Sequence, residues 1–510
     1  MTAGRHRAAG RGGLSAERGA AAGSVILVLR FITGSVLNYA FNLALAWLLV
    51  PEEFGTVSAA QNVMLFAAGA LTAGLPWALT VRLSASGTTP SQAAALLRTA
   101  VLGNVVIASA LAGVLVLTQV SGHRVLPTGS GAIVVVVAAE ILLLGLNAVI
   151  AGALQGTKRF GGLGGMHALE ILVKVVVATV LVAATGSGAL GVVIGFFVGS
   201  VTATCVGLRG LRGLLPGRGP LAPWRSVTAA GPIWVATAGF TVLLTVDVLG
   251  LSFFGGGTVA TATALAAYQV CSTLARAPYF VSDALVDAVF PFMAADPRDV
   301  RAVHGWFLEA VRWIPVLLVP LQLVLVLVPE PFLRLLFPAS YAASATVLRV
   351  LTLGTLGLLL TNALVKGLYA RAHQSSAARV VGPVVVVEVV LLAFLVPRHA
   401  AVGAATAYAV SCWLAVLGLA PAYLRGLGGA LARARAVLAA RYLASLAPAV
   451  LLLLLASRLP DVFAVVLVAV AISVHVLSAR RWAFVRDSDL ARISPTLVTS
   501  WPLRTGRTTA

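Results

Sequence analysis

The stretch TATALAAYQVCSTLARAPYFVSDALVDAVF, residues 261 to 290, places Gln269, Arg276, Asp283 and Asp287 at spacings of 7, 7 and 4. At about 100° per residue these four side chains fall within roughly 40° of one another on a helix, so they form one polar stripe. An arginine fork on such a stripe suits phosphate oxygens, which it binds bidentately. The carboxylates suit charge balance or capture of a cation. Further polar side chains sit in apolar runs. Asp247 lies in TVLLTVDVLGLSFF, Glu140 in GAIVVVVAAEILLLGLNAVIAGAL and Glu388 in GPVVVVEVVLLAFLV. Glu170 and Lys174 are spaced i, i+4 in MHALEILVKVVV, a spacing that predicts local neutralisation. Arg30 is followed by Ser35, Asn38 and Asn42, the last three on one helical face, so that run also lines something polar.

The elements that must carry these residues are membrane spans. Of the 510 residues, 60% are hydrophobic and only 10% charged, and mean hydropathy is +1.00. A spanning helix needs about 20 apolar residues, because backbone groups in lipid must be hydrogen-bonded within their own segment. Fourteen such stretches occur: 24–50, 56–83, 93–118, 130–154, 166–185, 188–208, 228–254, 262–291, 306–328, 346–370, 378–396, 402–424, 441–457 and 460–478. The expected fold is an all-α polytopic membrane protein.

Lys and Arg near span ends stay on the cytoplasmic side. Sixteen of them, among them Arg82, Arg98, Lys158, Arg159 and Arg209, fall in one set of short loops, against Arg124, Arg334, Arg398 and Arg458 in the other. This alternation predicts a multi-pass protein of the cell membrane with both termini cytoplasmic. It also accounts for the net charge of +20 through topology and anionic lipid, with no nucleic-acid partner. The tail 1–23, basic and rich in Gly and Ala, reads as disordered, and 479–510 as a second basic tail.

Connections between spans do not exceed about 20 residues, which leaves no room for a soluble catalytic or nucleotide-binding domain. The sequence has no GxxxxGK[ST], no HExxH and no Cys/His cluster, and Cys205, Cys271 and Cys412 all fall within spans as packing residues. These features point away from an enzyme and from a bound cofactor or metal.

At about 15 Å from a span end, Glu140 and Glu388 fall near the midplane, and so does Arg276, where an arginine requires an anionic partner or a wet cavity. Asp287, about 6 Å from an inner end, is either interfacial or part of the stripe. Asp283 is positioned to neutralise Arg276 through intervening groups. The pair LAWLLVPEEFGTVSAAQNVMLF and VLGLSFFGGGTVATATALAAYQV share a helix, a short turn, Gly-Thr-Val and a small-residue helix start, with Gly55 aligned on Gly257. That match suggests two parallel six-helix lobes, 24–208 and 228–424, joined by the basic connector 209–227 and followed by two further helices over 425–478. Paired halves with a central site are a transporter architecture.

LLVPEEFGTVSAA after the first span, LQGTKRF after the fourth, TVDVLGLSFF ending the seventh, Pro291 in DALVDAVFPFM, and LLFPASYAASATVLRVL before the tenth resemble the polysaccharide transporters of the multidrug/oligosaccharidyl-lipid/polysaccharide (MOP) flippase superfamily. The resemblance covers roughly residues 25–425. It implies movement of undecaprenyl-diphosphate-linked glycans between leaflets by alternating access. Arg276 resembles in placement a cavity arginine of the related lipid II flippases, Arg30 matches a basic position of their first span, and Asp247 matches a frequent acidic position near the end of span seven. The implied substrate-binding set is Arg276, Arg30, Asn38, Asn42 and Gln269. Asp247, Glu140, Asp283, Asp287 and Glu388 are the set for charge balance or for coupling to a proton or sodium gradient. Spans thirteen and fourteen are similar to the pair that forms a lipid-tail groove in lipid II flippases, but the first span lacks their dense charge cluster, which favours other surface-glycan precursors. Membrane lipids, and a glycan polymerase or glycosyltransferases, are the partners such a transporter implies. The other readings are a cation-coupled multidrug exporter of the same superfamily and a non-transporting scaffold of a glycan-assembly complex.

Overall fold

The computed structural model describes residues 36–84, 88–213, 220–224, 231–294, 299–312, 314–425 and 430–481. Every regular element among them is helical. The chain divides into two compact units, one of residues 1–269 with 392–400, the other of 270–391 with 401–510.

Unit one begins with α1 (Val36–Leu48), α2 (Pro51–Ala73) and α3 (Leu75–Ser84). The expected span 56–83 is thus broken at Gly74, whose φ of −97° and ψ of −102° leave the helix. Pro76, with no N–H, follows at once. The Asn104 side-chain amide answers the break, donating to the carbonyls of Leu71 (3.2 Å) and Gly145 (2.8 Å). Then come α4 (Pro90–Val120), α5 (Gly131–Gly156), α6 (Phe160–Thr185), α7 (Gly188–Gly210) and α8 (Gly231–Phe254). Thr89 and Gln92 close a capping box on α4.

The small-residue face of α7 packs inside the unit, against α6. A Cβ at Gly195 would lie 2.6 Å from the Ala178 Cβ, and one at Gly199 would lie 2.9 Å from the Glu170 carbonyl. Gly55 and Gly257 do different work. Gly55 lets α2 approach the backbone carbonyl of Ala262, whereas Gly257 takes a left-handed φ of +62° in the turn after α8.

α9 (Val259–Met293) is 35 residues long and continues from unit one into unit two at Gln269 and Val270. Unit two then holds α10 (Val300–Val311), a π-helical turn Ile314–Leu318, α11 (Val319–Leu327) and α12 (Pro329–Leu336). Pro315 and Pro320 remove two helical donors, which interrupts the span expected over 306–328. A 3₁₀ turn Ala339–Ser344 leads into α13 (Ala345–Ala370). α14 (Gln374–Leu424) runs 51 residues with one break at Ala400, where φ is +44°, so it contains both expected spans 378–396 and 402–424. α15 (Ala430–Ala456) and α16 (Asp461–Arg481) pack together and on α11 through Val324, Val328, Leu453, Ala464 and Val468.

Among the described residues ten helices are long and apolar enough to cross a membrane, and α1 and 442–456 are shorter apolar helices. α9 is absent from the ten although it is among the longest helices. Its polar stripe lowers the hydropathy that length alone would have supplied.

Candidate functional site

Unit two collects the densest set of charged and polar side chains on α9. Arg276 is 8% exposed, and its guanidinium carbon lies 4.6 Å from the ring centre of Tyr408, on α14. Such a cation–π contact orients a guanidinium over the ring face. Pro278, two residues on, lacks an N–H, so the Leu274 carbonyl loses its helical partner. Beside that break Gln322 of α11 donates to the Ala275 carbonyl at 3.0 Å. The helix is therefore braced next to its arginine.

Two turns further along α9, Asp283 and Asp287 share one cation. Lys366 of α13 donates to Asp283 Oδ1 at 2.6 Å and to Asp287 Oδ1 at 2.5 Å, and Asn362, one turn earlier, donates to Asp283 at 3.0 Å. The Lys366 and Asp283 side chains are largely buried; that of Asp287 is 60% exposed. The expectation that Asp283 neutralises Arg276 is corrected: its bonded counter-ion is Lys366. Helical periodicity aligned the carboxylates with Arg276 but could not show which other helix faced them. The i, i+4 pair Asn362 and Lys366 in TNALVKG matches the i, i+4 spacing of Asp283 and Asp287, and was the signal that could have revealed the partner.

Tyr279 lies close enough to both carboxylates and to Tyr408 for electrostatic interaction, and is 5% exposed. It lies between Arg276 and Asp283 along α9. Glu388, also in unit two, is fully buried on α14.

The remaining predicted residues lie in unit one. Gln269 does not join the cluster there. Its side-chain oxygen accepts from Ser58 at 2.9 Å and from Asn62 at 3.4 Å, both on α2. Asp247, fully buried, accepts from the Tyr268 hydroxyl at 2.5 Å. Glu140, 3% exposed, accepts from the Ser200 hydroxyl. Asn147 donates to the Ser200 carbonyl at 3.0 Å and accepts from Thr204 at 2.7 Å, so α5 and α7 are joined by a chain of uncharged donors.

Glu170 and Lys174 lie within electrostatic reach of each other, but their direct bonds go elsewhere. Glu170 meets His167 at 3.3 Å, whereas Lys174 donates to Asn38 Oδ1 at 2.5 Å and lies 5.1 Å from the centre of Phe196. The long lysine stem reaches α1 and α7, and a local pairing rule cannot anticipate such partners. Asn42 donates to the Asn38 carbonyl at 2.9 Å, closing one turn of α1. Arg30 lies outside the described residues. Among the described residues no three His, Cys, Asp or Glu side chains gather to hold a metal ion.

The cluster on α9 and α13 offers cations, carboxylates and phenols. It can bind and exchange charged groups.

A family model described as "Polysaccharide biosynthesis protein" matches residues 44–346. No curated protein sequence matches the chain. Among solved structures, a lipid II flippase, MurJ, in its inward closed conformation is similar with a TM-score of 0.69 and 13% identity, over 92% of this chain and 100% of that one. An inward-facing multidrug resistance MATE transporter of the MOP superfamily is similar with a TM-score of 0.60 and 14% identity, over 78% and 98%. A MOP superfamily transporter from Pyrococcus furiosus, described by a binding pocket of reversed polarity, gives 0.53 and 14%, over 79% and 95%. At these identities the likeness is one of fold.

Proposed function

The chain belongs to the polysaccharide biosynthesis protein family, and from that premise we propose that it is a flippase carrying an undecaprenyl-diphosphate-linked oligosaccharide, a surface-polysaccharide precursor, between membrane leaflets by alternating access. The observation that carries this reading is Arg276: an arginine on a long helix, 8% exposed, held over Tyr408, with two carboxylates on the same helical face and their lysine counter-ion supplied by α13. A charge placed there is costly in an apolar setting unless it meets an anionic partner or a wet cavity. A lipid-linked diphosphate is an anion that must cross hydrocarbon, and a guanidinium binds its oxygens bidentately.

The transporter fold shared with MurJ and MATE proteins supports alternating access as the mode of movement. In this reading the protein sits in the cytoplasmic membrane with both termini inside, works without a catalytic step, and moves its cargo beside the glycosyltransferases or polymerase that make and use it. A proton or sodium gradient is the proposed drive, with Asp247, Glu140 and Glu388 as candidate coupling carboxyls.

The test is leaflet exposure of a fluorescent undecaprenyl-diphosphate oligosaccharide in vesicles containing the purified protein, wild type beside a folded Arg276→Ala variant. Transport that falls at least about tenfold in the variant supports the reading, in line with the loss of a charge-assisted hydrogen bond. Equal transport by both removes Arg276 from the mechanism. The buried acids Asp247, Glu140 and Glu388 favour a second reading, a cation-coupled drug exporter. That reading requires drug efflux that survives Arg276→Ala and is lost on neutralising one of these acids.

A further inference from the structure

Resting on the proposal that the cargo carries a diphosphate, we infer that Lys366 is a second phosphate ligand, held by Asp283 and Asp287 until cargo arrives, and that its transfer to the diphosphate draws one proton onto the carboxylate pair. Three observations carry this inference. First, Lys366 is the shared counter-ion of both carboxylates, at 2.6 and 2.5 Å, so the two aspartates occupy its donors as an anion would. Second, Asp283 lies seven residues from Arg276 on the same face of α9, about 10 Å along the axis, a gap that arginine and lysine stems can span toward one diphosphate. Third, the charges match. Arg276 and Lys366 together supply two positive charges, the number a diphosphate diester requires, while Asp283 and Asp287 hold Lys366 at rest.

The proton follows from what remains. The charges acting on Asp287 are Lys366 and, one turn away on its own helix, Asp283; Asp283 also faces Asn362, and Tyr279 stands near both carboxylates. Once Lys366 moves to the phosphate, two like charges at i, i+4 are left with an amide and a phenol, and one proton shared between the neighbouring carboxylates relieves their repulsion. Asp287, with a side chain 60% exposed, gives the proton a way in from solvent. When the diphosphate leaves, Lys366 returns and the proton is released. Binding of cargo and of a proton are then linked through one lysine, and each favours the other.

The experiment measures binding of polyprenyl-diphosphate-N-acetylglucosamine to the full-length protein in detergent by titration calorimetry at pH 7, in two buffers of different ionisation heat. This probe is a diphosphate diester whose phosphates stay ionised, so any proton taken up belongs to the protein. The wild type is expected to take up about one proton per ligand bound. Lys366→Gln weakens binding at least about tenfold and loses the uptake. A double variant, Asp283→Asn with Asp287→Asn, binds at least as tightly as the wild type and takes up no proton, and it keeps the test open if Lys366→Gln fails to fold. Binding by Lys366→Gln equal to wild type, or uptake that persists in the double variant, overturns the inference. Loss of binding in Arg276→Ala together with normal binding in Lys366→Gln overturns the inference alone, whereas no binding by the wild type overturns the diphosphate reading with it.

Discussion

Unit one and unit two both place polar groups among apolar helices, and they satisfy them by different means. In unit one the buried Glu140 is met by a serine hydroxyl and backed by Asn147 and Thr204, Asp247 is met by a tyrosine hydroxyl, and α6 and α7 close on each other through Gly195 and Gly199. In unit two the described carboxylates are met largely by cations: Asp283 and Asp287 by Lys366, Asp461 by Arg334, Glu330 by Arg349. Hydroxyl and amide bonds stay in place whatever the charge of a passing ligand, whereas ion pairs can be exchanged for it. The difference gives unit one bonds that need no counter-charge, and unit two ion pairs that a charged group can exchange.

The largest test of this contrast is Lys366→Met, which leaves two neighbouring carboxylates without their lysine. Removing one partner of a buried pair costs about 3 kcal/mol, the low end of the usual range because Asp287 is partly exposed. Combining it with Asp283→Asn and Asp287→Asn should recover most of that loss, and unfolding in detergent measures both. A triple variant as unstable as the single one would show that Lys366 acts by packing. In unit one the matching test is steric. Gly195→Val drives a side chain into Ala178 and should cost about 2 kcal/mol, with no dependence on salt. A cost that changed with ionic strength would contradict a steric origin. The smallest effect belongs to Arg334→Gln, because Arg334 and Asp461 have 54% and 43% of their side chains exposed. That pair should contribute less than about 1 kcal/mol and fade in high salt. A larger loss would mean that α12 depends on this pair for its seat on α16.

Much of the fold was legible. Each of the fourteen apolar stretches, so far as it is described, is helical, since a long apolar run in lipid has few alternatives to a helix. The breaks at Gly74 and Ala400 and the π-helical turn after α10 were less visible, although Pro76, Pro315 and Pro320 marked two of them. For the candidate site, the 7, 7, 4 spacing singled out α9. It grouped Gln269 with Arg276 and the aspartates, yet Gln269 turns to Ser58 and Asn62 on α2. Lys366, which holds the aspartates, stands in the apolar run of α13, outside that spacing.

By itself the sequence determined that the chain is a bundle of apolar helices with a few charges set inside it, because hydropathy and helical period are properties of neighbours along the chain. Which charge meets which was decided only by tertiary structure. Asp283 found Lys366 across 83 positions, and Lys174 found Asn38 across 136, although each had a candidate partner on its own helix. A side chain bonds to what lies within about 3 Å of its tip, and helix packing, not sequence distance, sets what is there.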